Sequence, residues 1–142
     1  MSEAKARQTV AERAGGRCEL CAATEPLTYA HRLNRSHGGG WAPSNACRLC
    51  GSGTTGCHGW TEREPLLAYA GGWRIPYGDP RAPAEVPVWL AIWGGTWPGW
   101  FLLADEGTYG PVDNGPPPEL PPWVRFAGHF PADGPPSVAS GA

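Results

Sequence analysis

The chain has 142 residues, 21 of them glycine and 17 proline, with 11 Lys+Arg against 13 Asp+Glu for a formal charge of -2. That length allows one modest core, and the charge excludes a uniformly basic nucleic-acid binder. The average hides an asymmetry: residues 1–63 carry eight Lys/Arg against five acids, and residues 64–142 carry three against eight. Any contact with phosphate therefore belongs to the N-terminal half. The opening "MSEAKARQTVAERAGGR" lacks the apolar segment of a signal peptide, and no later run is long enough to cross a bilayer, which predicts a cytoplasmic protein with no membrane partner.

In chain order, residues 3–14 predict a short helix whose thin stripe of Ala4, Ala6, Val10, Ala11 and Ala14 must lean on something else, with Gly15 and Gly16 as its stop. Residues 27–33, "LTYAHRL", predict a strand. The glycines and proline of "NRSHGGGWAPSN" give a loop, and residues 45–49 return as the second strand of a hairpin. After a second loop, "GSGTTG", a helix runs from Cys57 or His58 to Gly71 and Gly72. Pro65 inside it demands a kink or a start one turn later. Residues 86–93 and 98–104 predict a β-hairpin carrying Trp89, Trp93, Trp97 and Trp100, half of the chain's tryptophans, whose aromatic face must pack on the first unit or on a partner. Nine prolines in residues 111–142 predict a flexible tail with docking points at Trp123, Val124 and Phe126. The expected fold class is α+β, divided into a core at 1–72, a hairpin extension at 73–110 and a tail at 111–142.

All five cysteines fall between positions 18 and 57, a pattern that argues for thiolate ligation of a metal with one cysteine left over. Cys18-x-x-Cys21 is half of a tetrahedral site. The other half must come from Cys47, Cys50 and Cys57: Cys47-x-x-Cys50 has the usual spacing, and Cys50 with Cys57 pairs equally well across the small-residue loop. Spacing does not choose between them. A four-thiolate zinc site would supply folding free energy that this Gly-rich half lacks.

Three further residues stand out: His31 in the first strand, Asn45 opening the second, and His58 directly after a cysteine. On spacing alone, a zinc-knuckle binding domain stands ahead of an enzyme. The blocks "CELC", "AHRLNRSHGG", "SNACRLC" and "CHGW", in that order, resemble the HNH endonucleases (ββα-metal nucleases), and in particular the small HNH proteins of tailed bacteriophages of actinobacteria, over residues 17 to about 90. The resemblance implies an HNH ββα-metal finger with His31 as general base, Asn45 orienting it, and His58 binding a catalytic divalent ion such as Mg, Mn or Ni. It implies structural zinc on Cys18, Cys21, Cys50 and Cys57, with Cys47 odd and buried.

The implied function is a hydrolase: a DNA endonuclease of low sequence specificity that assists DNA packaging in infected host cytoplasm, with the terminase large subunit and portal as partners. A neutral imidazole to activate water and a cation beside the phosphate are what phosphodiester hydrolysis needs. Arg32, Arg35 and Arg48 are placed to hold the DNA backbone, contacts that carry no base readout. The chain departs from the family at Ala30, where an Asp or His commonly adds a ligand to the catalytic ion, and His37, at the far end of the loop, is a candidate substitute. The alternative is a non-catalytic zinc-knuckle module that binds DNA, or binds protein through the Trp-rich hairpin.

Overall fold

The computed structural model describes residues 1–24, 26–91 and 98–124. Helix α1 spans Glu3–Ala14; Ser2 caps it by accepting from the Lys5 amide, and Gly15 ends it in the left-handed region at φ 65°. Strands β1, Leu27–His31, and β2, Ala46–Cys50, pair antiparallel with Tyr29 opposite Arg48 and His31 opposite Ala46. Alternation puts Tyr29, His31, Arg48 and Cys50 on one face of the hairpin and Thr28, Ala30, Cys47 and Leu49 on the other. Pro65 divides the expected second helix into α2, Gly56–Arg63, and α3, Pro65–Gly71, and sits at the first position of α3, where its missing N–H costs nothing.

The second sheet has three strands, β3 (Val88–Leu90), β4 (Gly99–Leu103) and β5 (Tyr109–Pro111), all antiparallel in the order β3-β4-β5. Strand β5 is an addition to the expected hairpin; the hairpin's turn, with Trp93 and Trp97, lies outside the described residues. Trp89 and Trp100 are buried in one core with Leu20, Leu49, Trp60, Trp73 and Phe101, so both sheets close on the same interior.

Two buried polar networks tie the halves. The Glu19 carboxylate accepts two bonds from Arg13 at 2.8 Å, one from the Arg48 amide at 2.8 Å and one from the Tyr109 hydroxyl, while its backbone bonds Arg48 O and the Ala91 amide. Arg32 is fully buried and donates to four carbonyls, those of Gly72, Ser44, Pro83 and Val86, at 2.7 to 3.0 Å. Of the expected loose tail, residues 112–124 are tied down by the Val112 amide on Trp100 O, by the Trp100 indole on Gly115 O and Pro116 O, and by burial of Pro121. Residues 125–142, Phe126 among them, lie outside the described residues.

Candidate metal centre and basic face

Cys18 and Cys21 come from a turn in which Ala22 takes a positive φ of 67°, and the Cys21 amide donates to Cys18 Sγ at 3.4 Å. Cys50 ends β2 with its sulfur beside this turn. Cys57 returns to it through a tight loop in which Gly51 (φ 87°) and Gly56 (φ 63°) are indispensable. A Cβ at Gly51 would stand 2.1 Å from Thr55 O, and one at Gly56 would stand 2.5 Å from Cys50 O. The four sulfurs lie within 4.8 Å of one another, with Cys21 Sγ 3.7 Å from Cys50 Sγ. A zinc ion bound at about 2.3 Å to four thiolates sets its sulfurs roughly 3.8 Å apart, so this donor set fits structural zinc.

Hydrogen bonding among the sulfurs draws Cys21 and Cys50 below the ordinary thiol range and pushes Cys18 and Cys57 above it. Cys47 stands outside the group, fully buried on the opposite face of β2, where burial pushes its thiol up to about 12. The chain therefore holds a four-cysteine zinc-binding cluster within a small α+β domain.

The nuclease expectation is overturned here. Among the described residues, the four cysteines are the one group that brings three or more potential metal ligands together. An all-thiolate set closes the coordination shell and leaves no position for water or phosphate. No second site for Mg, Mn or Ni assembles around His58 among the described residues. Its Nδ1 sits 2.7 Å from Thr28 Oγ1, and its Nε2 is 3.8 Å from Glu62, whose carboxylate is already paired with Arg74 at 2.6 Å.

His31 lies on the face of β1 that carries Tyr29, edge-on to Trp41 at 4.6 Å and to Tyr29 at 5.3 Å, whereas His58 bonds Thr28, which belongs to the opposite face. Burial, then the charges of Arg35 and Arg7, lowers the pKa of His31; burial lowers that of His58. Ala30 is buried and offers no ligand, and His37 lies against Tyr77 at 5.1 Å. The hydrolase reading is withdrawn, and the phage packaging role that rests on it falls with it.

Asn45 serves the loop rather than a base. Its Oδ1 accepts from the Leu33 amide at 2.8 Å, and its Nδ2 donates to Leu33 O and Gly40 O. This clamp shapes residues 33–40. Arg32 is enclosed by its four carbonyls and cannot reach a phosphate. Arg35 is exposed with its guanidinium 5.0 Å from the Trp41 ring. Arg7, which sequence reasoning missed as one charge on a short helix, lies over the same ring at 5.1 Å and over Tyr29 at 5.3 Å. Arg7 and Arg48 also line a cleft of about 440 Å³ with Tyr29, Thr28 and His58.

No helix among the described residues is long and apolar enough to cross a membrane. In comparisons with known proteins, no protein-family model, no curated protein and no solved structure matches the chain.

Proposed function

We propose that the chain is a non-catalytic zinc-knuckle module that binds DNA through the face built from α1, the β1–β2 hairpin and residues 32–42. The observation that carries this reading is the placement of Arg7 and Arg35 over Trp41, with Arg48 in the adjoining cleft. Stacking on the indole restricts the long arginine side chains; Arg7 gives its Nε–H to Glu3 at 2.8 Å, and its terminal N–H groups with those of Arg35 are what phosphate oxygens would meet. These are backbone contacts, so binding is weakly sequence-specific. Zinc holds the hairpin that displays them, and no chemistry is asked of it. In this reading residues 1–72 carry the binding face, residues 73–110 support it from the shared core, and residues 111–142 form an appendage. A protein partner on the Trp-rich hairpin is less favoured, because Trp89 and Trp100 are only 3% and 9% exposed and already spent in the core.

The test is fluorescence anisotropy of a labelled short duplex across a salt series. Arg7→Ala, Arg35→Ala and Arg48→Ala should each flatten the plot of log affinity against log salt by about 0.9, one phosphate contact apiece, with zinc content unchanged. An unaltered slope in the triple variant, or no binding by the wild-type protein at about 50 mM salt, would refute the reading.

A further inference from the structure

The backbone supplies hydrogen bonds to three of the four sulfurs: the Cys21 amide donates to Cys18 Sγ and the Cys57 amide to Cys50 Sγ, each at 3.4 Å, and the Ala23 backbone bonds Cys21. Cys57 differs. Its Sγ accepts from the indole Nε1 of Trp123 at 3.2 Å, a contact 66 residues away in sequence. The segment bearing that indole is rich in proline, at positions 116, 117, 118, 121 and 122, so it has few amides of its own to anchor it. It is nevertheless seated by Trp100, Val112 and Pro121. Trp123 itself is 43% exposed, more than apolar packing would leave a ring of this size, and its one polar atom is directed at the sulfur.

We propose that Trp123 is a positioning residue of the metal centre: its indole N–H stabilises the Cys57 thiolate and slows dissociation of that ligand from zinc. An N–H donor to a coordinated thiolate acts on an ionised acceptor, which makes the bond stronger than one between neutral groups. It lowers the energy of the sulfur lone pairs and holds the ligand in place against protonation and competing chelators. Partners of this kind set metal affinity and exchange together with the ligands themselves. The indole also covers one side of Cys57, the ligand that arrives through the glycine loop.

The experiment compares full-length wild type with Trp123→Phe, which keeps the aromatic ring and deletes the donor, and with Trp123→Gln, whose amide N–H has similar reach from the backbone. Two readouts are taken: the rate of zinc transfer to excess chromogenic chelator, and the sulfur-to-metal charge-transfer band of the cobalt(II)-substituted protein. Trp123→Phe should transfer zinc about ten-fold faster, the weight of one charge-assisted hydrogen bond, and should move the charge-transfer band to lower energy. Trp123→Gln should return both toward wild type. Unchanged rate and unchanged band in Trp123→Phe would overturn the proposal. A faster rate with no band shift, or with no recovery in Trp123→Gln, would also overturn it, because packing would then be the whole role of the ring.

Discussion

Replacing Arg32 by lysine separates two roles that the sequence alone leaves confounded. The guanidinium is fully buried, faces no carboxylate hydrogen bond, and satisfies the carbonyls of Gly72, Ser44, Pro83 and Val86. Burial lowers its pKa to about 10, yet it remains cationic at neutral pH. An ammonium has three donors and no planar fork, so a lysine leaves at least one of the four buried carbonyls without a partner. One stranded buried acceptor costs about 1–3 kcal/mol, and poorer geometry at the other three adds to it. Arg32→Lys should therefore destabilise the zinc-loaded protein by roughly 2–3 kcal/mol, read as a lower urea midpoint at unchanged slope. At about 3 °C per kcal/mol for a chain of this size, the midpoint temperature should fall by roughly 6–9 °C. The salt dependence of DNA binding should stay as in the wild type. A stability change below about 0.5 kcal/mol would refute the burial argument and return Arg32 to the surface.

Elemental analysis should find about one zinc per wild-type chain and none after Cys18→Ser or Cys50→Ser, both of which should lose cooperative unfolding. Cys47→Ser should keep its zinc and lose about 1–3 kcal/mol, because a hydroxyl replaces a thiol at a fully buried position; zinc loss there would show the cysteines to be differently paired. The His31 ring sits beside Arg7 and Arg35, and its buried Nε2 has no hydrogen-bond partner. Its pKa is held below the ordinary 6.5, so the unfolded chain takes up the proton first and stability is lost as pH falls below about 6.5. His31→Phe should leave stability at pH 7 equal or higher and flatten that acid decline in chemical denaturation series; an undiminished decline would place its origin elsewhere.

Helix α1 was legible because its signals are local: alanines inside and two glycines after it. The choice among the three later cysteines was not. Cys47-x-x-Cys50 has the same spacing as Cys18-x-x-Cys21, but the former lies in a regular strand, where residues three apart point to opposite faces, and the latter in a turn, where they converge. Spacing becomes a ligand pattern only once the backbone conformation is known. His58 lies on α2 and bonds Thr28, on the face of β1 opposite His31, a placement the motif spacing does not specify. Arg32 looked like a surface charge next to a loop, because the carbonyls that enclose it come from positions 44, 72, 83 and 86. Strand β5 was hidden in a run of turn residues, and its edge is recruited by β4 rather than by its own composition.

Glu19, set between the first two zinc ligands, has a consequence for the order in which the molecule can assemble. Its partners arrive from α1, from β2, from position 91 and from position 109, so the metal loop reaches its final environment only after chain ninety residues downstream has docked. Such long closures slow folding far more than they weaken the product. A nascent or truncated chain ending near residue 72 would have all four cysteines yet hold a buried carboxylate without its Tyr109 partner and Arg32 without two of its carbonyls, those of Pro83 and Val86. The zinc ligands and the residues that carry Arg7, Arg35 and Arg48 thus lie within residues 1–72, while the partners that complete the buried networks beneath them come from positions 83, 86, 91 and 109.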